Sequence, residues 1–253
     1  MKTFKTIEEV IESLDQIIEW SKKNKSTLGY FACTYRSTTI AVLQGVQNNK
    51  FEDGARMIAL DIAFANRYFE ALENYQKNKK CTNAWFTAFE ASKNDQLLVM
   101  QHILLGMNAH INLDLGVSAA SIMPLGNISP LRNDFNKINE VIASINQKVE
   151  DSLSEICYSI EYIDQFMKNA DNIILDFAIS KARETAWATA YIVSNSIDFI
   201  RPSLINMVDN AATLIAKNII ISDNTPTILL QKLKECESDD VVRNIEILAA
   251  TKI

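Results

Sequence analysis

Apolar residues recur three and four positions apart along most of the chain. Ile7, Val10, Ile11, Leu14, Ile17 and Ile18 form one such stripe. Thr6 and Glu9 fit a capping box at its start, so a helix is predicted over 6–24. The same period predicts helices over 28–47 (through Tyr30, Phe31, Tyr35, Ile40 and Val42), 52–77, 82–93, 171–197 and 198–220. From Ser129-Pro130 onward, Leu131, Phe135, Ile138, Ile142, Ile145, Val149, Leu153, Ile156, Ile160 and Ile163 read as one long helix over 130–168. Such a helix would span about 55 Å, long for a compact domain, so a kink or break is expected. A coiled-coil arm is the alternative, but its e and g positions are too mixed to favour it. The clearest loop is 121–130, and residues 227–253 carry one or two short helices. The expected architecture is all-α: a bundle of about seven to nine helices in residues 1–222, then a C-terminal helical segment, 223–253, docked on the bundle or serving a partner.

One stretch breaks the simple pattern. Gln101-His102-Ile103-Leu104-Leu105-Gly106-Met107-Asn108-Ala109-His110-Ile111-Asn112-Leu113-Asp114-Leu115-Gly116 is mostly apolar, yet it holds both histidines of the protein, two Asn and an Asp. It predicts a central buried helix over about 95–120, with Asn94-Asp95 as its cap. At about 100° per residue, His102 and His110 project about 80° apart. Asp114 follows His110 by four residues and is its neighbour on a regular helix. Asn108 and Asn112 are also four apart, on roughly the opposite side. Gly106 costs about 1 kcal/mol relative to Ala inside a helix, which marks a close approach of another backbone or of a ligand.

Other polar residues fall on apolar faces. Asp61 shares a helical face with Phe64, Ala65 and Tyr68, where a carboxylate must be paired or coordinated. Its partner is either the histidines or a salt bridge to Arg56 or Arg67. Arg36 lies amid Tyr and Thr, either as a capped surface residue or as an anion-binding group. Arg183 precedes Glu184 on a small-residue face, either solvated or reaching the central helix.

Composition narrows the class. Six Gly and four Pro in 253 residues favour long helices, and a net charge of −6 argues against a general nucleic-acid surface. Cys33, Cys81, Cys157 and Cys236 show no C-x-x-C, so free thiols in a reducing cytoplasm are expected. The acidic N-terminus lacks a signal-peptide pattern, and no membrane span is expected.

The motifs Leu28-Gly29-Tyr30-Phe31, Leu60-Asp61 with Phe64-Ala65-Asn66-Arg67-Tyr68, Gln101-His102 through Gly116, and Ala182-Arg183 with Ala186-Trp187 resemble a bacterial all-helical family catalogued as a domain of unknown function. The resemblance covers roughly residues 5–200 and implies a helical protein with no reaction attached. A looser likeness is to zinc-dependent phospholipase C and the P1-type nucleases. There His102 would match the first histidine of a His-x-x-x-Asp element and His110 a later one. Gly106 stands where that element has Asp, and two histidines cannot hold three zinc ions in that manner.

The leading expectation is an enzyme acting on a small, anionic molecule. His102 and His110 with Asp61 or Asp114 would bind one divalent metal, zinc or iron. Zinc would lower the pKa of a bound water toward ~7, and iron would serve oxygen chemistry. The spacing excludes H-E-x-x-H, and Val99 and Met107 exclude the paired Glu-x-x-His of di-iron bundles. Arg36, Arg67 or Arg183 would orient the substrate, with Asn108 and Asn112 satisfying adjoining groups. A metal-free version keeps His110 as general base, oriented by Asp114. The rival is a non-catalytic ligand-binding or interaction protein with a structural His–Asp–Asn network. The oligomeric state is left open.

Overall fold

Helix α1 (Ile7–Asn24) begins at the predicted capping box. Thr6 Oγ1 accepts from the Glu9 N–H at 3.2 Å, and the Glu9 carboxylate accepts from the Thr6 N–H. The computed structural model describes residues 3–123, 127–157, 179–221 and 227–250. Among them the secondary structure is helical, as expected for an all-α bundle, and several elements match their predicted bounds closely: α2 (Leu28–Gln47), α3 (Gly54–Gln76) and α4 (Asn83–Ala91). α2 packs on α1, α3 and the later helix Arg132–Ile156. The starts of α3 and α4 are held by distant carboxylates. Buried Asp134 accepts from the N–H groups of Glu52 and Asp53, and buried Asp209 from those of Asn83 and Ala84. Each places negative charge where unpaired N–H groups concentrate.

The central helix departs from regularity. α5 (Val99–Asn108) begins four residues later than Asp95, because Leu98 is extended. π-helical turns follow over Ala109–Leu115, then α6 (Gly116–Ile122). A π turn bonds each N–H five residues back and widens the helix, so side chains no longer follow the 3.6-residue period. Close packing surrounds this element. A Cβ on Gly106 would lie 2.3 Å from Phe31 Cγ, and one on Gly116 would lie 2.5 Å from the Ala186 carbonyl oxygen. The close approach marked by Gly106 is therefore to an aromatic ring of α2.

The long helix breaks as expected. α7 (Arg132–Ile156) ends at Cys157, which is extended and disulfide-bonded to Cys236. The predicted continuation to 168 and the start of the next helix at 171–178 lie outside the described residues. Free thiols are thus corrected for two of the four cysteines, while Cys33 and Cys81 are free. α8 (Ile179–Ser194) packs along α6. α9 (Arg201–Ile221) turns Asp209, Ala212, Ala216 and Ile219 inward against α4 and α5. By length and composition alone, α9 is long and apolar enough to cross a membrane. α10 (Thr227–Cys236) and α11 (Val241–Ala249) complete the described chain. Ile245 and Leu248 of α11 are buried in the same core as Val10, Tyr30 and Cys33. Glu237 accepts from the Val99 N–H at 3.1 Å, so the C-terminal segment caps the central helix.

Candidate functional site

The four residues expected to hold a metal line three separate cavities. His102 borders a surface groove with Tyr30, Lys234 and Asp239. Burial, aided by Lys234, lowers its pKa to about 4. Asp114 borders a second groove. There its carboxylate accepts from Arg67 Nε at 2.7 Å and from Trp85 Nε1 at 2.6 Å. Burial raises its pKa, opposed by Arg67 and Trp85. His110 and Asp61 line a third cavity. Among the described residues, no three His, Cys, Asp or Glu side chains group as metal ligands. The expected metal set does not fit this arrangement. The physical reason is the fold itself. His102 and His110 face different neighbours eight residues apart, and Asp114 is held by α3 and α4.

The third cavity lies among α2, α3, the π turns, α7 and α8. It offers about 80 Å³ to the centre of a water-sized sphere. Most of its wall is aliphatic or aromatic, including Phe31, Tyr35, Val42, Met57, Phe64 and Ile138. Asp61, His110 and Arg183 interrupt that wall. Their relative exposures are 8%, 5% and 4%, so all three are withdrawn from water.

Each of the three has an unmet bond. Among the described residues, neither ring nitrogen of His110 has a hydrogen-bond partner, and the same holds for Asp61 Oδ2 and Arg183 Nε. Buried polar atoms are paired in the great majority of cases, since leaving one unpaired costs about 1–3 kcal/mol. Here four such atoms belong to side chains of one cavity. The imidazole of His110 stacks on Phe64, with ring centroids 3.4 Å apart, and meets the edge of Tyr35 at 4.3 Å. Its orientation is therefore set by aromatic packing. Arg183 donates to the Phe135 carbonyl and lies over the Phe135 ring, 4.5 Å from its centroid. No carboxylate forms a salt bridge with it among the described residues.

Burial sets the protonation of these groups. It pushes Asp61 up to about 7 and drives His110 well below the usual histidine range. It also lowers Arg183 to about 10, which leaves the guanidinium charged at neutral pH. Near pH 7 the cavity thus holds a half-ionised carboxyl, a neutral imidazole and a cation.

The remaining candidates have other work. Arg56 pairs with Asp53 and Arg67 with Asp114, so neither salt bridge expected for Asp61 forms. Arg36 pairs with Asp15 of α1 outside the cavity. Asn108 donates to the Ala212 carbonyl at 2.7 Å, and Asn112 donates to Asn108 Oδ1 at 3.0 Å. These two asparagines tie the central helix to α9 and bind no substrate in this cavity. Asp114 does not orient His110, whose ring nitrogens are unpartnered. Sequence reasoning missed Thr34 and Thr38, which also line the cavity. Their four-residue spacing on α2, beside Tyr35, was the available signal.

The molecule is an all-helical protein with polar side chains converging on a mainly apolar cavity. The chain belongs to a family of unknown function, DUF5995, whose model matches residues 7–222. No curated protein and no solved structure matches it, and the likeness to phospholipase C and P1-type nucleases is not supported.

Proposed function

We propose that the chain is a small-molecule enzyme that works by proton transfer in the cavity of Asp61, His110 and Arg183. The observation carrying this reading is that three buried side chains with unpartnered polar atoms line one cavity. Asp61 is the base. Its pKa of about 7 suits both taking and returning a proton near neutrality. An ionised Asp61 removes a proton from substrate carbon beside a carbonyl, and the C–H electron pair moves toward the carbonyl oxygen. Neutral His110 donates a hydrogen bond to that oxygen, and Arg183 offsets the developing charge. The protonated Asp61 then returns its proton to another position, completing an isomerisation with no net gain or loss of atoms. Relative to the metal-free enzyme expected from the sequence, Asp61 takes the place of His110 as the base, His110 becomes a hydrogen-bond donor, and Asp114 has no part.

The test is hydrogen exchange in D2O, followed by NMR, on a set of small carbonyl-containing acids. Exchange catalysed by the parent should fall about 100-fold or more in Asp61→Asn. A member of the set that binds in the cavity but shows no exchange would instead favour the non-catalytic binding protein, a reading supported by the largely apolar wall.

A further inference from the structure

We infer that the occupant of this cavity is a small hydroxy- or oxo-carboxylate with an apolar body, an inference that rests on the cavity being the working site. Arg183 argues for the anionic end. It is a buried cation whose described bonds are to a backbone carbonyl and an aromatic face. Neither neutralises it, and Nε remains unpartnered. A guanidinium buried without a carboxylate is stabilised by an incoming anion.

The charge of that anion is bounded by the neighbours. The cavity wall holds one Arg and one carboxyl, that of Asp61. A dianionic phosphate would meet a single cation and a like charge, whereas a carboxylate meets a matched partner. Asp61 Oδ2 and the His110 nitrogens need a second group that both donates and accepts, such as a hydroxyl, or a carbonyl facing His110. The rest of the molecule faces aliphatic and aromatic wall, so it is apolar.

Calorimetric titration of the full chain with four probes tests this: phenyllactate, hydrocinnamate, phenyl phosphate and phenethylamine. Phenyllactate should bind, with hydrocinnamate, which lacks the hydroxyl, about tenfold weaker. Phenyl phosphate and phenethylamine should bind more weakly still. The His110 ring signals report location by NMR, since the chain has two histidines and His102→Gln assigns them. Arg183→Gln should weaken phenyllactate at least tenfold, and Arg183→Lys less. The probe series on the parent protein stands independently of whether those variants fold. Phenethylamine or phenyl phosphate shifting the His110 signals while phenyllactate does not would overturn the ligand class and leave the cavity as the working site. Failure of every probe to move those signals would overturn both.

Discussion

Asp61 sets stability against function. In the folded chain its carboxyl holds its proton up to about pH 7, against an ordinary value of 3.8. The folded state therefore binds this proton more tightly than the unfolded chain does. Stability from the group is fully present below about pH 4 and is lost as pH rises through 7. The groups facing it do not reverse this sign: burial drives His110 well below the usual histidine range and leaves Arg183 charged, and both groups are present in either protein. Asp61→Asn removes the penalty, so it should raise Tm at pH 8, by up to about 3 kcal/mol of stability, and leave it nearly unchanged at pH 4. Glu237 is also raised, to about 7, but it titrates equally in both proteins and cancels in the difference. Thermal melts of the two proteins across pH 4–8 check this. A Tm gain that is equal at both ends, or a loss at pH 8, would refute it. The same substitution should lower exchange about 100-fold or more, the trade expected where an active site is built from poorly satisfied groups.

At the scale of elements, the contact between α2 and α5 shapes the cavity. Phe31 lies in the cavity wall and also fills the space a side chain at Gly106 would need. The nearest atoms are Cγ, Cδ2 and Cβ of Phe31, the root of the ring, which has little freedom to move away. Gly106→Ala should therefore destabilise despite its better helix propensity, by about 1–3 kcal/mol. At about 2–4 °C per kcal/mol for a chain of this size, a Tm lowered by about 2–12 °C is expected. Because Phe31 must shift, ligand affinity should fall with it. An unchanged Tm would mean that the ring repacks without strain. The π turns act on the same scale. Their wider winding carries His110 and Asp114 to different partners, whereas a regular helix made them neighbours.

Across the whole molecule, the C-terminal segment is part of the bundle. The Cys157–Cys236 disulfide spans 79 residues and joins the end of α7 to α10. One residue further on, Glu237 caps α5. In chain-entropy terms a loop of this length is worth about 4 kcal/mol. Protein purified without reductant and then denatured should titrate as two thiols, Cys33 and Cys81, and as four after reduction. Cys236→Ser should lower Tm by several degrees. Four thiols before reduction would show the bridge absent. The bridge also removes the argument from free thiols on which a reducing compartment rested.

What the sequence determined by itself was the local order. Periodicity placed α1 to α4 closely and α7 at its start, because a helix that buries one face must repeat its apolar residues every three or four positions. Motifs placed the family, and a lone carboxylate on an apolar face marked Asp61 as unusual. The tertiary structure decided which polar residues meet. Asp134, Asp209 and Glu237 reach helix starts 81 to 138 residues away in sequence, and no local pattern encodes such a partner. His102 and Asp114 were separated from His110 because the side-chain directions of a π segment and the faces of its neighbours exist only once the bundle has packed. Arg183 joined Asp61 and His110 for the same reason: α8 lies along α6, and that placement comes from small residues closing on Gly116 rather than from any spacing in the chain.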